Sequence, residues 1–449
     1  MNTSDRIGFA GFFIACLFFA FLGGTYIVLA KVFPYQYFDD AYKAFHAVVE
    51  QRSVSNRYIQ TDQWRHARTD KRGVTIYDPK RAYNGYTLYT SAGGSYASLI
   101  NMHGQEVHRW SLPYSKVWKT TPEGRDAQSD KLIYWTKAVM LPNGDLVAIY
   151  ISAADTPWGY GMVKLDANSH VIWKYHGATH HDISVMPNGN IVALINQYSD
   201  RQYPGYPNLT NPHLEDYLVV LDGETGKVIH KISLLDAFYR SRFRPLLTLI
   251  PSFRHETEFR LEDPLHTNSV QYIGPRLAKA FAPAQSHADQ VLLSFRTPGT
   301  IGLLDIKSGK MTWMTRGYWF GQHSPRALPN GNMDVFDNYG HFQKNNASRL
   351  LEIDPGTGQI VWRYHGTQAH PLASEIRSEI DLLPNGNRLI TESDGGRLFE
   401  LSPEGKIVWE FMNPVRGGDH DQYIPVASSG QRVKADWFAP VFRRGLKTQ

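Results

Sequence analysis

The chain has 449 residues, 42% hydrophobic and 13% aromatic, with 47 basic against 42 acidic side chains and a formal net charge of +5. That is too long for one ordinary core, unless a repeat spreads the core around a ring, and too aromatic for disorder. The mild charge is spread without blocks, which argues against nucleic acid as a partner. The single cysteine, Cys16, excludes intramolecular disulfides and cysteine-based zinc sites.

From Ile7 to Ala30 the chain carries no charge. As a helix this stretch would run about 36 Å, enough to cross a hydrocarbon core of about 30 Å. The apolar run outlasts the core of a cleaved signal peptide, so residues 1–32 are expected to be an uncleaved transmembrane anchor. The short N-terminal tail and large C-terminal body fit a single-pass signal anchor with the body translocated. In a Gram-negative cell that means an inner-membrane protein with a periplasmic body. Residues 33–84 are expected to hold an amphipathic helix, Tyr37 to Gln51, and then a polar connector through Asn84; the helix's apolar face could meet the body, the membrane surface or a membrane-protein partner.

Beyond this the sequence repeats itself. An aliphatic residue, a Gly- or Asn-containing turn and an apolar strand usually ending in Trp recur at Leu99–Trp110, Leu165–Trp173, Leu221–His230, Leu304–Trp313, Ile353–Trp362 and Leu401–Trp409. A second hairpin with a Pro-Asn-Gly turn appears at Val139–Tyr150, Ser184–Ile195, Arg326–Asp337 and Ile380–Thr391. Two hairpins per unit and six units predict an all-β fold, a six-bladed β-propeller over residues 85–440, with a C-terminal tail at 441–449. An arginine-bearing insertion at about 236–264 is assigned to blade three, as a lid over the channel mouth, a membrane-facing flap or a rim ornament.

Counting back six residues from each Pro-Asn-Gly proline gives Thr136, His181, His323 and Ser378. The corresponding strand starts elsewhere offer His266 and His420. Four histidines among six equivalent positions exceeds what 18 histidines in 449 residues would place there. Imidazoles gathered without a carboxylate favour an anion, and Arg296 adds a guanidinium suited to sulfate or phosphate oxygens.

The segments HTNSV (His266–Val270), LLSFR (Leu292–Arg296) and QHSPRALPNGNMDVFDN (Gln322–Asn338) resemble successive signatures of the bacterial arylsulfotransferases. The resemblance implies a periplasmic six-bladed propeller. It would move a sulfuryl group from an aryl sulfate donor to a phenolic or other hydroxyl acceptor through a histidine, with neither a nucleotide donor nor a cofactor. It implies sulfuryl-binding and acid/base roles for His266 and His323 and a binding role for Arg296, with Asn268 and Gln322 as helpers; the count from the turns places His181 at the same substrate pocket. The family's sulfate-carrying histidine lies later in the chain, where Ser378 fills one position and His420 is the late histidine on the register. The family's second arginine should follow FDN, where His341 and Arg349 are the candidates. Two other readings stand beside this one. One is a membrane-anchored scaffold without catalysis; the other is a metal site built from His180, His181, Asp182, His266 and His323, which lacks HxH or HExxH spacing.

Overall fold

The computed structural model describes residues 3–30, 32–35, 37, 63–152, 155, 159–250, 263–339 and 347–446. It divides into two units, 1–57 and 58–449. In the first, a single α-helix runs from Thr3 to Ala30, and its segment Gly11–Ala30 is long and apolar enough to be a membrane span or a signal. The expected amphipathic helix lies, apart from Tyr37, outside the described residues.

The second unit is a six-bladed β-propeller of four-stranded antiparallel sheets. Each pairs two hairpins, as the repeats require: blade two, for instance, runs Ile133–Met140, Leu146–Ser152, Gly159–Leu165 and Val171–Tyr175. Blade one takes its innermost strand from the C-terminus, Ala427–Val433, which pairs with Tyr86–Ser91. Blade six gains a fifth, outermost strand from the N-terminal side, Gly73–Tyr77, paired with Ile407–Met412. A further strand, Trp64–His66, pairs with Tyr423–Pro425. Residues 64–77, expected in a polar connector, therefore help to close the ring at both ends.

The repeated tryptophan has a physical role. Trp110, Trp173, Trp362 and Trp409 each donate their indole N–H to a turn carbonyl of the next blade, at Gly144, Gly223, Pro403 and Met102 respectively, all at 3.0 Å. Each of these outer strands thus latches its blade to a neighbour, burying the ring at Trp110, Trp173 and Trp409 and half-burying it at Trp362. The innermost strands have no strand neighbour on the axial side, and side chains of adjacent blades satisfy some of their amides. Ser429 Oγ accepts from Ala138 N, Ser184 Oγ from Tyr272 N, Gln271 Oε1 from Ala327 N and Ser324 Oγ from Ile380 N.

The insertion assigned to blade three lies between blades, joining the outer strand Val228–Ser233 to the inner strand Thr267–Ile273 of blade four. Its described part is not a flap. Ser233 caps the helix Leu234–Tyr239 by accepting from Asp236 N, and Leu234, Leu235, Phe238 and Leu247 are buried in the core. Arg254 and Arg260 fall outside the described residues.

Candidate active site in the propeller channel

The inner strands enter the channel through β-bulges. Pairing slips between Trp135 and Lys137, His180 and Ile183, Thr267 and Ser269, His323 and Arg326, and Ala427 and Ser429. The displaced residues Thr136, His181, Asp182, Asn268, Ser324 and Ser428 line one cavity. A bulge releases a residue from its ladder and re-aims its side chain, and here the device recurs around the axis. His181, His266, Ser324, Arg377 and Ser378, all on the cavity wall, have φ between 47° and 80°. Such left-handed backbone is uncommon outside glycine and costs about 1–3 kcal/mol per residue, so its clustering marks a site.

Among the described residues three histidines face this cavity: His181, His266 and His323. The rings of His181 and His266 meet edge to face with centroids 5.2 Å apart. Each ring is held by Nδ1. His323 Nδ1 lies 2.7 Å from Asn338 Oδ1 and 3.0 Å from Gly321 O. Asn338 spends its amide N–H groups on Ser374 O and Arg377 O, so its oxygen must face the ring. With only acceptors around it, Nδ1 carries the proton and Nε2 the lone pair. His266 Nδ1 lies 2.7 Å from Asp263 Oδ2, while Asp263 Oδ1 accepts from His266 N, and the same assignment follows. His181 Nδ1 lies 2.7 Å from His180 Nδ1. Burial, with Arg296 and His266 nearby, drives His323 down to about 3 despite its hydrogen bonds to Asn338 and Gly321. Burial together with His180, His266, His323 and Arg377 holds His181 well below the ordinary imidazole range. Both rings are therefore held neutral near pH 7.

Arg296 and Arg377 add two guanidinium groups to the wall. Arg296 N–H donates to His266 O, and its side chain donates to Tyr339 Oη at 3.3 Å. One to three residues further along the inner strands lies a buried ion network. Lys137 pairs with Asp182 (3.2 Å) and Glu379 (2.5 Å); Arg326 pairs with Asp182 (3.2 Å) and Asp381 (3.3 Å). These charges come from blades two, three, five and six and join across the channel. Burial pushes Asp182 up, but Lys137 and Arg326 outweigh it and hold the carboxyl down to about 2. Burial pushes Glu379 up to about 6, Lys137 opposing and Asp182 and Asp381 adding. Among the described residues no group of three or more His, Cys, Asp or Glu side chains is placed to hold a metal ion.

A cationic, histidine-walled cavity at the axis of a six-bladed propeller accords with one further observation: the family model for arylsulfotransferase (ASST) matches residues 137–414. The chain belongs to the arylsulfotransferase family. No curated protein matches it. Among solved structures, a Bacteroides caccae protein of unknown function is similar over 76% of this chain and 99% of its own, at 13% identity and a TM-score of 0.47. The virginiamycin B lyase of Staphylococcus aureus is similar over 78% and 87% at 12% identity and a TM-score of 0.37, and BamB of Moraxella catarrhalis over 79% and 84% at 11% and 0.30. Similarity at this level carries no functional content.

For an arylsulfotransferase the expected residues divide as follows. His181, His266, Asn268, Arg296 and His323 converge on the cavity. Gln322 does not: it is fully buried behind the wall, its amide donating to Ser294 Oγ, Phe295 O and Thr300 O. Arg349 is tied to Asp337 and to Tyr318 O and does not line the cavity. His420 sits exposed in the loop bridged by Gly417 and Tyr423. The inner strand of blade one begins later, at Ala427, so Ser428 takes the axial place assigned to His420. His341 lies outside the described residues. Late in the chain, among the described residues, the cavity receives Arg377, Ser378, Glu379 and Ser428, and no histidine. Lys137, Arg326, Arg377, Glu379 and the anchors Asp263 and Asn338 were missed. Lys137, Asp182 and Glu379 each follow a counted position by one residue, which is the signal that was there to find.

Proposed function

We propose that this chain transfers a sulfuryl group from an aryl sulfate donor to a phenolic or other hydroxyl acceptor, with a cavity histidine as the intermediate carrier. The observation that carries the reading is the convergence of three Nδ1-anchored imidazoles with Arg296 and Arg377 on one cavity in a chain of this family. His266 is our choice for the carrier. Its Nε2 lone pair attacks sulfur, the S–O bond to the aryl group breaks and the aryl oxide leaves. The N-sulfo ring that results is cationic, and Asp263, at 2.7 Å from Nδ1, neutralises that charge. In the second half the acceptor oxygen attacks sulfur, and the N–S bond returns its electron pair to Nε2. Arg296 and Arg377 hold the sulfuryl oxygens as charge gathers on them. His323, neutral on its own, gains proton affinity when the anion enters and then donates to it.

We further propose that Gly11–Ala30 anchors the enzyme in the inner membrane, with the propeller on the periplasmic side. The domain limits follow this division, with 1–32 as anchor and 33–62 as linker before the propeller. The scaffold reading keeps one observation in its favour: among the described residues no late histidine lines the cavity. The purified full-length protein should release nitrophenol from p-nitrophenyl sulfate when phenol is supplied and no nucleotide is present. Silence with every aryl sulfate would favour the scaffold.

A further inference from the structure

His180 and His181 are consecutive, yet their Nδ1 atoms face each other at 2.7 Å. A regular strand would send neighbours to opposite faces; the bulge and the φ of 58° at His181 bring the rings together. One ring lines the cavity and the other is buried, 1% exposed. Behind His180, Asp216 is 2% exposed, with Oδ1 at 3.4 Å from His180 Nε2 and Oδ2 accepting from Thr267 N. Two Nδ1 atoms at hydrogen-bond distance share one proton, so the tautomer of His181 is set by the charge on His180. His266 and His323, whose Nδ1 partners only accept, lack this freedom.

We propose that Asp216 and His180 store a proton behind His181, making His181 the acid and base of the transfer reaction. This rests on the function proposed above. The store requires His180 to rest as an imidazolium facing the Asp216 carboxylate, its Nδ1–H donating to His181 Nδ1. His181 then presents Nε2–H to the cavity. When the aryl oxide leaves, it takes the Nε2 proton, and the His180 Nδ1 proton moves to His181 Nδ1, which leaves His180 neutral. When the acceptor arrives, His181 Nε2 takes its hydroxyl proton, the Nδ1 proton returns to His180, and the freed oxygen attacks sulfur. Protons and charge balance over the two halves, and no co-reactant is needed. The groups that set the balance are Asp216 on one side and His266, His323 and Arg377 on the other; the latter three, with burial and His180, disfavour a cation on His181 itself.

The test is the dependence on leaving group. Asp216→Asn keeps an oxygen for Thr267 N and removes the carboxylate. Its kcat/KM for phenyl sulfate, whose aryl oxide needs a proton, should fall about 100-fold, while that for p-nitrophenyl sulfate should change by less than about threefold. Equal losses on both donors would reduce Asp216 to a structural role and overturn the store. If the variant fails to fold, the solvent isotope effect on phenyl sulfate turnover by the unaltered enzyme decides: a curved proton inventory is expected, and a linear one contradicts the relay. Absence of turnover with any donor in the unaltered enzyme would instead overturn the proposed function, and the store with it.

Discussion

Asn338 holds His323 in its working tautomer: its Oδ1 lies 2.7 Å from His323 Nδ1, while its amide N–H groups bind Ser374 O and Arg377 O. One side chain therefore fixes a ring in blade five and the backbone that carries Arg377 into the cavity. Asn338→Ala strips donors from two carbonyls and an acceptor from a ring. It should lower the unfolding free energy by about 1–3 kcal/mol, and turnover of an aryl sulfate should fall about tenfold or more. Calorimetry and kinetics on the same preparation check both; unchanged values would mean that the ring orients itself.

The depressed His323 has a pH consequence. A folded value of about 3 against an unfolded value of 6.5 means that the unfolded chain binds the extra proton between those limits. This contribution lowers stability as pH falls through that window, by about 1.4 kcal/mol per unit. Glu379, pushed up to about 6, acts in the opposite sense between its unfolded value and pH 6, so the whole protein shows only part of the slope. The difference between the unaltered protein and His323→Gln isolates it. Their unfolding free energies should converge by about 1.4 kcal/mol for each unit of acidification from pH 6 to 4; parallel curves in urea titrations would contradict the burial argument.

Across the channel, Lys137 is shared by Asp182 and Glu379. Lys137→Met leaves two buried carboxylates without that partner and should cost about 3–5 kcal/mol. Adding Glu379→Gln should restore part of the loss. A double variant no more stable than the single would show that the network is not coupled in this way.

Trp409 is fully buried and donates to Met102 O, tying blade six to blade one. Trp409→Ala should cost about 3–5 kcal/mol, and Trp409→Phe, which loses chiefly the hydrogen bond, about 1 kcal/mol. Thermal unfolding of the two variants tests the latch; a Trp409→Phe variant as stable as the unaltered protein would assign the whole effect to volume.

The blades were legible because each is written locally. Pro-Asn-Gly sets one turn, a second turn follows a fixed distance on, and the tryptophan that locks a blade to its neighbour lies on that blade's own outer strand. The cavity was half legible for the same reason: a constant offset from the turn finds Thr136, His181, His323 and Ser378, all of which line it. The offset fails where no such turn follows. Blade one's inner strand is Ala427–Val433, so His420 falls in a loop outside the ring. What joins distant segments left no local mark. Lys137 meets Glu379 across 242 positions.

The most direct measurement is mass spectrometry of the full-length protein after brief exposure to an aryl sulfate with no acceptor. The account predicts a mass gain of one sulfuryl group on the peptide carrying His266, lost on addition of phenol and absent from His266→Ala. A gain on a residue outside the cavity, or turnover with no modified protein at any time, would contradict it.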